Sequence, residues 1–224
     1  MRVYFLTNCD NIGERLCSVA SDSLVIIGHG AGLSIDLVRE LEGEDDVLKR
    51  LALYSRDRQI TIVAGIEASI YRRKYLSAVV IDKGKIMGIS DMTHESDEGN
   101  IYNLGSSYRV YKTSAGALGI VVGNDLFYPE VFRTLKRSKS EAILTLAGGI
   151  LQDKAKMTLK AMAFLNGITL LGVVNNCAYI VDNNGDILVE DESPRQTIEC
   201  DIREDDTLTR YIRNGIYDNV YIEE

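Results

Sequence analysis

Gly119–Leu135 reads GIVVGNDLFYPEVFRTL, and the fold is decided here. Leu118–Val122 is a short, β-branched apolar run, the signature of a buried strand. Gly123-Asn124-Asp125 breaks that run. Pro129 stands where a helix can begin, because the missing N–H is not needed in the first turn. Val131, Phe132 and Leu135 then follow at helical spacing. The unit is strand, sharp elbow, helix, and such elbows often present a reactive side chain at a strand's end.

Working outward, the N-terminal side predicts strands over Arg2–Thr7, Leu24–Ile27, Gln59–Ala64, Tyr71–Ile81 and Lys85–Ser90, with helices over Asn11–Ala20 and Asp45–Arg58. An acidic loop, Asp91–Gly105, precedes strands at Tyr108–Lys112 and Leu118–Val122. Its carboxylates, Asp91, Glu95, Asp97 and Glu98, read as a solvated face. Beyond the elbow helix come a strand at Glu141–Leu146, a helix at Gln152–Asn166 and strands at Thr169–Asn175, Cys177–Val181, Ile187–Glu190 and Gln196–Asp201. Asn184-Gly185, inside Asp182–Gly185, predicts a tight hairpin with positive φ at both central positions. Parallel alternation at both ends with hairpins in the middle gives an α/β fold with mixed sheets.

The 224 residues suffice for one large domain, and 46% hydrophobic residues with two prolines fit a compact chain. A net charge of −8 argues against nucleic-acid or anionic-membrane surfaces, which need clustered Lys and Arg. The apolar run at the N-terminus is too short for a signal peptide and no stretch has the length of a membrane span, so a cytoplasmic protein is expected. Cys9, Cys17, Cys177 and Cys200 form no closely spaced pair, so neither a zinc site nor any other cofactor is expected.

The elbow resembles that of the nitrilase, or carbon–nitrogen hydrolase, superfamily: a strand ending in Cys, an aromatic residue and Asp, then Pro-Glu and a helix carrying Arg. Asp125, Pro129, Glu130 and Arg133 keep that frame, and VDNNGDI at Val181–Ile187 is a second point of resemblance. The resemblance covers about Arg2 to Ile202 and implies a four-layer α-β-β-α sandwich of two mixed sheets flanked by helices, often paired as a homodimer. Residues 203–224 are then a tail, whose Tyr211, Tyr217 and Tyr221 would serve an interface.

The family's chemistry uses a Cys thiolate that attacks a nitrile or amide carbon, a Glu as general base and a Lys at the developing oxyanion, the ordinary division into nucleophile, base and positive group. By position the Cys falls on Gly123. The Glu falls on His29, at the end of SLVIIGH (Ser23–His29). The Lys falls on Met92, within GKIMGISDMTH (Gly84–His94), which retains His94. On the helix after the next strand, MAFLN (Met162–Asn166) keeps Ala163 and Asn166, while Met162 and Leu165 replace the family's Arg and Glu. Scaffold positions are retained and chemical ones are not.

The expectation is therefore a site with no intact catalytic set, its three former triad positions being His29, Met92 and Gly123. His94, Asn124, Asp125, Asn176 and Cys177 are expected to line the same pocket, which could hold a small-molecule ligand. The rival expectation is an active amidase or nitrilase with Cys177 as a relocated nucleophile.

Overall fold

The computed structural model describes residues 2–7, 11–95 and 101–192, and the backbone of 198–201. Cys9, Asp97, Glu98, the boundary at 202 and the Tyr-bearing tail lie outside the described residues, as does the side chain of Cys200.

Two mixed sheets lie face to face. The first has strand order β13-β1-β2-β4-β5-β6, with β3 also pairing with β4; its members are β1 (Arg2–Leu6), β2 (Leu24–Ile27), β3 (Ser34–Asp36), β4 (Thr61–Ile70), β5 (Arg73–Asp82), β6 (Lys85–Asp91) and β13 (Ile198–Asp201). The second has the order β12-β11-β10-β9-β8-β7, formed by β7 (Val110–Thr113), β8 (Gly116–Val122), β9 (Ala142–Ala147), β10 (Thr169–Val174), β11 (Cys177–Val181) and β12 (Ile187–Asp191). In each sheet the central strands are parallel (β1, β2 and β4; β8, β9 and β10) and hairpins extend the edge. The parallel strands are buried on both faces, which is why LVII and AILTLA read as unbroken apolar runs.

Helices cover the outer faces. On the first sheet lie α1 (Ile12–Ser18), α2 (Leu37–Glu42) and α3 (Val47–Arg58); on the second, α4 (Pro129–Arg137) and α5 (Gln152–Asn166). Among the described residues the core has three clusters, one between the sheets and one under each helical layer. In α4, Val131, Phe132 and Leu135 are inside while Glu130, Arg133 and Lys136 are outside, so a single stripe seats the helix.

Several details depart from expectation. Strand β4 runs on to Ile70, beyond the expected Ala64, because it is held by β3 on one side and β5 on the other. β3 and α2 were not foreseen; Asp36 caps α2 through Val38 N–H and Arg39 N–H, and Gly43 closes it in the left-handed region. The elbow is a 3-10 turn, Gly123–Phe127, before the helix proper. In the turn at 182–186 only Gly185 has positive φ (83°), so the predicted Asn-Gly conformation does not form. Asp182 organises this turn instead, its Oδ1 accepting from Asn184 N–H and Asp186 N–H.

Candidate functional site

β8 ends at Val122, and Gly123 turns the chain with φ 57°, a left-handed conformation that favours glycine. A Cβ placed there would lie 2.6 Å from Met92 Sδ and 3.0 Å from Leu76 Cδ2. Met92 is only 3% exposed and packs in the cluster between the sheets. Its backbone N–H donates to Leu76 C=O (2.8 Å), which extends the β5–β6 pairing by one step past Asp91.

His29 enters from the other side. It stands in the 3-10 turn that follows β2, and its Nε2 lies 3.0 Å from the carbonyl oxygen of Ser77. Its ring packs tightly on Gly65 of β4, and Nδ1 is buried without a hydrogen-bond partner. Burial, partly offset by Ser77 and the charge of Glu67, lowers its pKa below 6.5. Leu76 and Ser77 thus connect Gly123, Met92 and His29: Leu76 reaches toward Gly123 and bonds Met92, and Ser77 meets His29.

A second cluster fastens the elbow. Asp125, 2% exposed, accepts from Thr93 N–H, Thr93 Oγ1, His94 N–H and His94 Nδ1 at 2.8–3.0 Å. Its pKa is raised by burial, against the opposing pull of His94 and Thr93. The His94 ring stacks on Tyr128 at 3.6 Å between centroids, with Tyr108 further out at 6.3 Å. Asn124 donates to the Glu95 carbonyl (3.1 Å), and Asn176 packs against Gly30 in the turn that carries His29.

Cys177 is placed elsewhere. It begins β11, where Ala178 and Ile180 face the inter-sheet core while Cys177, Tyr179 and Val181 face the α4–α5 layer. It is 2% exposed, and burial raises the pKa of its thiol. Strand parity sets its side chain in the layer under α4 and α5, in the same cluster as Leu126 of the elbow, and on the opposite side of β11 from Ala178 and Ile180. Asn175, between the end of β10 and the start of β11, has a role that the sequence analysis did not foresee. Its side chain bonds both Ile150 N–H and Ile150 C=O and so fixes the loop after β9. The doubled Asn was its only signal in the sequence.

A four-layer sandwich with a strand–elbow–helix beside the ends of parallel strands defines the carbon–nitrogen hydrolase class of fold. The chain belongs to the carbon–nitrogen hydrolase family, whose description its sequence matches over residues 30–210. A probable nitrilase of Schizosaccharomyces pombe is 24% identical over 155 residues, 66% of this chain, which spans only 57% of that relative's length. Among solved structures, an amidase from Nesterenkonia sp. AN1 superposes with TM-score 0.74 at 17% identity, covering 91% of this chain and 93% of the other. One structure of that amidase carries acrylamide added at its active-site cysteine. A branch 10 nitrilase-superfamily protein of Saccharomyces cerevisiae gives 0.71 at 12% identity with 89% of both chains covered. A carbon–nitrogen hydrolase of Helicobacter pylori G27 gives 0.70 at 16%, covering 88% and 86%.

Proposed function

We propose that this protein is a carbon–nitrogen hydrolase family member without hydrolytic activity, kept as a binding, regulatory or structural module and paired as a homodimer. One observation carries the reading: the thioether of Met92 fills the space into which a side chain at position 123 would project. A thioether neither attacks a carbonyl nor meets an oxyanion with charge. His29 could accept a proton, but Gly123 has none to give. Losing the nucleophile of a covalent mechanism typically costs on the order of a million-fold in rate.

The orientation of Cys177 supports the same reading, since its thiol is turned into the α4–α5 layer and held protonated by burial. Pairing is supported by exposed apolar side chains on that layer, Met157 (67%) and Leu165 (56%) among them.

Alkylation of the native protein by acrylamide, followed by peptide mapping, tests the reading. Exposed Cys17 is expected to react and Cys177 to stay unmodified. Faster labelling of Cys177 than of Cys17, slowed by a short amide, would overturn it.

A further inference from the structure

The outer face of the first sheet carries a cleft that the elbow does not use. It has a volume of about 530 Å³ and lies between the β4–β6 end of the sheet and the segment 104–109. That size is ordinary for a small-molecule site. Its lining includes apolar side chains from both sides, Ile70, Tyr75 and Ile89 from the sheet and Leu104 from the segment. Tyr75 and Ile89 pack on the outer core cluster, whereas Met92 belongs to the cluster between the sheets.

The wall is fixed before any ligand arrives. Asn103 N–H donates to Lys74 C=O (2.7 Å), Gly105 N–H donates to Met92 C=O (2.8 Å), and Tyr102 OH donates to Glu67 Oε1 (2.6 Å). Gly105 sits so close to Asp91 that a Cβ on it would come within 2.8 Å of Asp91 Cβ. A wall ordered in advance spares a ligand part of the entropy cost of binding.

Two opposite charges line this cleft. Among the described residues, Arg109 enters no ion pair or side-chain hydrogen bond, and Asp91 has no cationic partner. Asp91 Oδ1 accepts from Ser77 Oγ (2.6 Å), which fixes the carboxylate and leaves Oδ2 uncommitted. The hydroxyl of Tyr75 is also without a partner among the described residues. A plain anion drawn to Arg109 would be repelled by Asp91, and a plain cation drawn to Asp91 would be repelled by Arg109. A ligand carrying both charges satisfies both, and the apolar lining of the same cleft takes an apolar body.

We infer that this cleft binds a small zwitterion with an apolar side chain, an α-amino acid such as leucine or phenylalanine, with its carboxylate on Arg109 and its ammonium on Asp91. The site is independent of whether the elbow is catalytic.

Calorimetric titration of the full chain tests this with four probes: L-leucine, L-phenylalanine, 4-methylpentanoate, which lacks the ammonium, and L-leucinamide, which lacks the carboxylate. Saturable binding of at least one of the two amino acids is expected at millimolar concentration or below. The two singly charged probes should bind at least tenfold more weakly. Arg109→Gln, an exposed change that spares the fold, should lose at least tenfold, and Asp91→Asn should do the same while one oxygen still serves Ser77. Lys154→Gln, on α5, should leave binding unchanged. No saturation by either amino acid at 10 mM, affinity unaltered by Arg109→Gln, or equal binding of 4-methylpentanoate would each overturn the inference.

Discussion

A side chain at position 123 meets two obstacles, one conformational and one steric. The left-handed backbone (φ 57°) costs a non-glycine residue about 1–2 kcal/mol, and Met92 Sδ and Leu76 Cδ2 crowd the first atom it would add. Gly123→Cys is therefore expected to destabilise the protein by about 1–3 kcal/mol without creating an enzyme. Met92→Ala alone should cost about 2–5 kcal/mol, as truncations of buried chains do. Combined, the two should cost at least about 0.5 kcal/mol less than their sum, because the alanine vacates the space the cysteine needs. Urea unfolding of the four proteins closes this cycle, and strict additivity would mean that Met92 is not what fills the position. The expectation that His29 and Gly123 stand where the family has Glu and Cys came from the apolar runs they follow, Leu24–Ile27 and Leu118–Val122. That Met92 fills the space a side chain at position 123 would enter was not legible, since spacing along the chain carries no information about depth. The facing of Cys177 was equally hidden: Cys177–Val181 is buried at every position, so no polar alternation marks its two sides.

At the scale of elements, Asp125 is the fastening between the end of β6 and the elbow. Four donors from Thr93 and His94 converge on one buried carboxylate, joining segments that are 31 and 32 residues apart. All four reach Oδ1 and Thr93 N–H reaches Oδ2 as well, so an asparagine would meet them with one uncharged oxygen and turn its N–H₂ toward Thr93 N–H. Asp125→Asn is expected to cost about 2–3 kcal/mol and to weaken the near-ultraviolet signal of the His94–Tyr128 stack; thermal unfolding and circular dichroism check both. Of the elements, the strands buried on both faces and the helices α3, α4 and α5 announce themselves by apolar runs or by 3.6-residue spacing. β3 and α2 escape because they are only three and six residues long, too short for periodicity to register. Asp36 and Gly43, which bracket α2 as cap and stop, were the signals that could have found it. The Asn-Gly pair misled because Asp182 offers the turn a side-chain acceptor, which outcompetes the local preference of Asn184-Gly185.

At the scale of the molecule, the two-sheet sandwich leaves its α4–α5 face with exposed Met157 and Leu165 and, at its margins, Leu151 and Phe127. Light scattering at micromolar concentration should give the mass of a homodimer, and Met157→Glu with Leu165→Glu should reduce it to one chain, since charges buried in an interface without partners oppose association. A monomeric wild type would remove that part of the account. The central claim is the loss of hydrolytic chemistry on an intact carbon–nitrogen hydrolase scaffold, and ammonia release from a panel of short amides and nitriles measures it most directly. The wild type and Cys177→Ser are both expected to release no more ammonia than buffer. Turnover by the wild type that Cys177→Ser abolishes would contradict the account and make Cys177 the nucleophile.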